Sequence, residues 1–285
     1  MKTKSLIWLR VLINRYNAKA GQALLKFLPE DERQSVLNQN IHSTDVLPLL
    51  MQPQQLMERV HYSWIQPLLE KFPKEIHSIL IASLTPEQIS GLQHHLSVSP
   101  TPSVSVPVKT FMLHQLYTLL TQDPPLPLEY LAESEFSPLA TWNKSQLVNL
   151  IDFLGIHDLA ADIRRIVSKL HLDNLTSCLT PQQQYYLKVC LHQKEQLVPP
   201  KLDINPAVKD CKKLKMILHQ RGLIRLGKAL AGQQMDLMTM IAYRLDVGRG
   251  RWLLHYYRPS PILHVTPVLK LQVTNLMNFI KKGKL

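Results

Sequence analysis

Twice in this chain a Leu-Thr-Pro step is followed, after one further residue, by glutamine: at Leu84-Thr85-Pro86-Glu87-Gln88 and at Leu179-Thr180-Pro181-Gln182-Gln183. The step is a helix start. The threonine hydroxyl accepts from an unpaired amide of the first turn, proline stands at the first helical position where no donor is needed, and the glutamine at the third reaches back to the cap amide. The likeness continues outward, because Leu80, Leu84, Leu92 and Leu96 around the first copy fall at the same offsets as Leu175, Leu179, Leu187 and Leu191 around the second. Units of this kind bury a face only by stacking on neighbours. The pattern therefore predicts an all-α fold of short helices in two or three modules, in a helical-repeat, armadillo-like arrangement.

Glycine and proline usage points the same way. There are 9 glycines and 20 prolines, and Pro29, Pro48, Pro53, Pro67, Pro73 and Pro86 read as punctuation between apolar-periodic stretches, as expected of helices joined by stiff loops. At 285 residues and 45% hydrophobic content the chain can bury a substantial core, which excludes disorder as a whole.

The expected organisation is an N-terminal helical module at 1–96, a Ser/Pro linker at 97–108, a middle helical module at 109–196, a Pro-rich joint at 197–206 and a basic C-terminal helical module at 207–285. Within the middle module, Asn143 with Gln146 forms a third cap. It opens a helix through Leu147, Leu150, Ile151 and Leu154 that Gly155 is expected to end, with Asp158 capping the next. Gly248 and Gly250 suit a helix stop; Trp252 shares a helical face with Tyr256 and reads as core, the other reading being a recognition surface of Trp252, Tyr256, Tyr257 and the nearby arginines.

Charge is distributed unevenly. Residues 1–200 hold 17 Lys+Arg and 17 Asp+Glu, whereas residues 201–285 hold 16 and 4, so the surplus of 16 − 4 = 12 accounts for the net charge of +12. The C-terminal part should therefore seek an acidic partner. The residues expected to make that contact are Lys212, Lys213, Lys215, Arg221, Arg225 and Lys228, followed by Arg244, Arg249, Arg251 and Tyr257, since arginine and aromatic residues dominate binding hot spots. An acidic protein face or an anionic membrane surface is the preferred partner. A nucleic acid is the alternative, because clustered Lys and Arg are what phosphate contacts require.

Chemical motifs are wanting. Gly222-Leu223-Ile224-Arg225-Leu226-Gly227-Lys228 fits G-x4-G-K but lacks the closing Ser or Thr and a preceding strand, so no nucleotide or other cofactor is expected. Gly222, Gly227 and Gly232 read instead as helix ends or close packing points. Cys178, Cys190 and Cys211 read as reduced, buried thiols, and their spacing matches no close ligand pair, so no metal is expected. No nucleophile has an identifiable base even among the 12 histidines, and the expectation is a chain without catalytic residues, not an enzyme. Lys2 and Lys4 precede an apolar run that Arg10 breaks after Leu9. Neither a signal peptide nor a membrane span is predicted, and the expected location is the cytoplasm.

Three stretches carry a family resemblance: Ser63-Trp64-Ile65-Gln66-Pro67-Leu68-Leu69 leading into Ile79-Leu80-Ile81-Ala82-Ser83-Leu84-Thr85-Pro86-Glu87-Gln88, then Leu150-Ile151-Asp152-Phe153-Leu154-Gly155-Ile156-His157-Asp158-Leu159-Ala160, and Arg221-Gly222-Leu223 through Arg244-Leu245-Asp246-Val247-Gly248-Arg249-Gly250. Together they resemble cytosolic accessory proteins of bacterial type III secretion systems, either related to the flagellar rotor switch protein (FliG-like) or standing in the place of the sorting-platform adaptor (SctK-like). The resemblance implies a non-enzymatic adaptor at the cytoplasmic face of the inner membrane. It would link the membrane ring of the apparatus to the cytosolic platform, with membrane-ring and platform subunits as its partners. The chain lacks the rotor protein's Glu-His-Pro-Gln segment and its charged torque helix, so the resemblance carries over neither rotation nor any catalytic or ligand residue.

Overall fold

Each of the three glutamine caps opens a helix. Thr85 N donates to Gln88 Oε1 at 3.0 Å while Gln88 N donates to Thr85 Oγ1 at 3.4 Å. Reciprocal pairs of the same kind join Asn143 with Gln146 and Thr180 with Gln183. In the computed structural model, which describes residues 3–16, 21–38, 47–93, 102–193, 197, 200–202 and 210–281, the described residues contain helices and no strand. The helices are α1 (Thr3–Tyr16), α2 (Gly21–Leu25), α3 (Glu30–Leu37), α4 (Leu47–Arg59), α5 (Tyr62–Leu69), α6 (His77–Ala82), α7 (Pro86–Gln93), α8 (Val106–Leu120), α9 (Lys144–Ile163), α10 (Lys169–Thr176), α11 (Pro181–His192), α12 (Cys211–Ala229), α13 (Met235–Arg244), α14 (Val247–Tyr256) and α15 (Thr266–Lys281). The fold is all-α. No described helix is long and apolar enough to cross a membrane.

Two compact units divide the chain, one formed by 1–137 with 234–243 and the other by 138–233 with 244–285. This division differs from the five segments expected from sequence. Helix α8 starts inside the Ser/Pro run and packs on α4, α5 and α6, so both sides of that run belong to one unit. Residues 97–101 of the run, most of the Pro-rich joint, Leu96, His94, His95 and Lys209 lie outside the described residues.

In the first unit a core of Met57, Ile65, Leu69, Leu80, Ile81, Leu92, Leu113 and Leu116 joins α4 through α8. Its one buried glutamine from the repeat, Gln88, closes the gap between α7 and the end of α4 by donating to Met57 O and Val60 O, both at 2.7 Å. Pro53 and Pro67 fall inside α4 and α5 and not between helices. The returning residues 235–243 join this unit: Tyr243 O accepts from His61 N at 2.8 Å, and the Tyr243 ring meets Trp64 edge-on at 5.1 Å. Asp236 pairs with Lys4 at 2.8 Å.

The second unit is built around α9. That helix does not end at Gly155, and Asp158 caps nothing; both lie in its interior, and residues 153–161 are buried throughout. The reason is tertiary. Where α12 passes α9, a Cβ at Gly155 would stand 2.1 Å from Leu218 O, and a Cβ at Gly222 would stand 1.8 Å from Ile151 O. Each glycine thus makes room for the other helix's backbone, which settles the reading of Gly222 as a close packing point. Gly227 likewise faces Tyr256 on α14, while Gly232, with φ of +83°, sits in the left-handed region just beyond α12. Gly248 and Gly250 are inside α14, which Asp246 caps by accepting from Arg249 N. Cys178 and Cys211 form a disulfide with Cα atoms 5.0 Å apart, so only Cys190 is a buried free thiol. Two of the three cysteines are therefore not the reduced thiols expected, because Cys211, the first residue of α12, meets the turn ahead of α11 although 33 positions separate the pair.

Candidate functional site

The ten residues expected to bind a partner divide into interior ties and surface cations. Arg225 is 5% exposed. Its Nε donates to Asp158 Oδ1 at 2.6 Å and its Nη1 to Gln272 Oε1 at 2.7 Å, so its charge neutralises a buried carboxylate and does not face solvent. Arg221 is half-buried beside the same carboxylate at 3.8 Å and donates to Lys201 O. Arg244 binds the carbonyls of Ala140 and Thr141 at 3.0 and 3.2 Å, and Tyr257 donates to Gln233 O at 2.6 Å. Lys228 is half-buried, and its carbonyl accepts from Thr266 Oγ1. Lys212, Lys213, Lys215 and Arg251 are exposed.

One of the exposed four, Lys215, lines a groove, and Lys212 precedes it by one turn on the same face of α12. Residues 212, 215, 216, 219 and 223 follow helical spacing down one face of α12, and Lys215, Met216, His219, Gln220 and Leu223 line the groove together with Val148 and Asp152 of α9 and Asp246, Gly248, Arg249 and Trp252 at the start of α14. Its volume is about 580 Å³, within the range of ligand-binding clefts. Met216 is 55% exposed and Trp252 48% exposed. Trp252 is thus not the core residue its periodicity suggested: Leu253 takes the buried face of α14, and the Trp252 ring lies near Tyr256 and His255 at centroid distances of 5.6 and 6.4 Å.

A chain of charges crosses the groove wall. Arg249 Nε donates to His219 Nε2 at 2.7 Å, which requires that nitrogen to be the acceptor, and so the imidazole carries its proton on Nδ1 and donates it to Asp152 Oδ1 at 2.6 Å. Arg249 Nη1 also binds Asp246 Oδ2, and Lys144 Nζ stands 3.8 Å from the same oxygen. Partial burial acts to raise the Asp246 pKa, but the hydrogen bonds and charge of Arg249, with Lys144, outweigh it and hold the carboxyl below its ordinary value. Both groove carboxylates are thereby answered within the wall.

An Asp152–His219 pair has the form of a base with its orienting carboxylate, yet His219 Nε2 is engaged by Arg249, and the residues lining the groove include no Ser, Thr or Cys. Among the described residues no group of three or more His, Cys, Asp or Glu side chains could hold a metal ion. Comparison of the chain with protein-family models, with curated proteins and with solved structures gives no match.

Sequence reasoning identified the cations of this region and passed over Asp152, Met216 and His219. The signal for Met216 and His219 was present in the stripe they share with Lys212, Lys215 and Leu223. For Asp152 there was none, since its pairing depends on a helix 67 positions later.

Proposed function

We propose that this protein is a non-enzymatic adaptor whose second unit engages an acidic protein partner, in the manner of the cytosolic type III secretion accessory proteins that its sequence resembles. The observation that carries this reading is the groove of α9, α12 and α14, where a half-exposed Trp252 and an exposed Met216 lie with Lys215 and Arg249. Aromatic, methionine and arginine side chains gathered in one recess are the composition of a protein-binding surface. The capped helices and the all-helical architecture suit a rigid scaffold. On this reading the protein sits at the cytoplasmic face of the inner membrane, between the membrane ring and the sorting platform, where the reducing environment would hold Cys178 and Cys211 as adjacent thiols in place of the bond.

The test is purification of the tagged, full-length protein from its native cells at moderate salt, with and without nuclease, followed by mass spectrometry. Recovery of ring or platform subunits that survives nuclease is the expected result. Nucleic acid as the sole companion, with every protein lost on digestion, would replace the adaptor by a nucleic-acid-binding protein.

A further inference from the structure

We infer that the groove of α9, α12 and α14 is a docking site for a short acidic segment of a partner protein that inserts an apolar side chain between Met216 and Trp252. The inference rests on the adaptor reading and deepens it by fixing the site and the chemistry of the occupant.

The floor explains the apolar anchor. Val148, Leu223 and Met216 line the groove beneath Trp252, so a chain crossing it can bury one or two aliphatic or aromatic side chains against carbon and sulfur. The rim explains the charge. Arg249 and Lys144 offset Asp246, and the neutral His219 donates to Asp152 without cancelling its charge, while Lys215 in the lining and Lys212 one turn before it are exposed. Lys144, Lys212, Lys215 and Arg249 around the groove outnumber Asp152 and Asp246, which favours a carboxylate flanking the anchor on the α12 side.

The same geometry weighs against the other two anionic partners. A bilayer presents a flat face, and here the apolar atoms lie in a recess with Asp246 and Asp152 in its wall. A nucleic acid would leave the apolar floor of Val148 and Leu223 without a partner. A protein segment alternating carboxylates with an apolar residue satisfies both parts of the site, in the way amphipathic segments occupy hydrophobic grooves.

The test uses the full-length protein and a fluorescein-labelled amphipathic helical peptide about 12 residues long, with Leu and Phe on one face and Glu on the other. Controls are the same peptide with Ser in place of Leu and Phe, and one with Lys in place of Glu. Fluorescence anisotropy should show the acidic, anchored peptide binding about tenfold or more tightly than either control, with affinity falling as salt is raised. Trp252→Ala should weaken it by about tenfold or more. Circular dichroism and melting temperature should stay at the wild-type values, because Trp252 is half exposed. The double variant Lys212→Glu/Lys215→Glu should reverse the preference and select the Lys peptide, an outcome that a merely structural role for these residues would not produce.

Equal binding of the Ser control, an unchanged Trp252→Ala variant, or displacement of the peptide by duplex DNA or phosphatidylglycerol vesicles at lower concentration than by unlabelled peptide would each overturn the docking site. The two levels separate cleanly. If Trp252→Ala still recovers secretion subunits from cells, the groove is wrong and the adaptor stands; if wild-type protein recovers none while the peptide binds as described, the groove stands and the adaptor is wrong.

Discussion

Among the described residues the buried polar side chains of the first unit are neutral, the amides of Gln52 and Gln88 and the hydroxyls of Ser83 and Thr121, whereas the second unit buries the charged pair Asp158 and Arg225 along with His157 and Thr266. Gln88 ties α7 to Met57 O and Val60 O, and Gln52 donates to Pro125 O; the Lys4–Asp236 pair of that unit keeps to a partly exposed rim. The second unit encloses Asp158 and Arg225 with Gln272 between α9, α12 and α15, and adds a covalent bond between Cys178 and Cys211. An amide bonded to carbonyls is indifferent to pH and leaves only an unpaired dipole when removed. A buried ion pair leaves an uncompensated charge. The unit with the candidate docking groove is therefore the one whose integrity answers to charge, acid and reductant.

The sharpest way to break this contrast is Arg225→Ala. It strands Asp158, 4% exposed, inside α9, and should destabilise the second unit by about 3–5 kcal/mol. Hydrogen exchange is the measurement: amides of α9 and α12 should lose protection while those of α5 and α7 keep theirs, and equal loss in both units would end the comparison. Reduction comes next. Dithiothreitol should lower the stability of the second unit by about 3 kcal/mol and leave the first untouched, since all three cysteines, at 178, 190 and 211, lie in the second; a denaturant titration with and without reductant reads this directly.

A change on the other side sharpens the same contrast. Gln88→Ala leaves the carbonyls of Met57 and Val60 without their donor and should cost about 1–3 kcal/mol, with a loss that is flat from neutral to mildly acidic pH. The smallest effect is expected from Asp246. Because its folded-state pKa lies below the ordinary value of 3.8, its contribution is complete above that value and is lost as pH falls through the folded-state value. Amide protection at the start of α14 and the fluorescence of Trp252 should therefore decline together on acidification, and in Asp246→Asn they should start from the lowered level and show no such step.

What was legible in the sequence was local. The caps at Thr85, Asn143 and Thr180 need only residues three positions apart, and all three appear as read. Helical period and the scarcity of glycine were enough for an all-α fold. The readings that differ depend on contacts remote in sequence. Gly155 looked like a helix end because nothing nearby shows that Leu218 O occupies the space of its missing side chain. Asp158 looked like a cap because its partner Arg225 is 67 positions away, and Arg225 in turn looked like surface because most arginines are. Trp252 and Tyr256 share a helical face, but Leu253 carries the burial of α14. Of the docking groove, the cations were legible by composition, and the apolar floor became visible only when α9 was laid beside α12.

The glycines at 155 and 222 have a consequence for how this chain can vary over time. With each one admitting the backbone of the opposite helix, the pair behaves like a key cut for a single lock position. A single-residue insertion or deletion between Ile151 and Gly155, or between Leu218 and Gly222, turns one of the two contacts by about 100° relative to the other. A branched side chain then meets a carbonyl where only hydrogen fits. Length changes in descendants of this sequence should accordingly gather in the connections and spare these two helices, and whatever binds beside His219 inherits a site whose walls cannot drift apart one residue at a time.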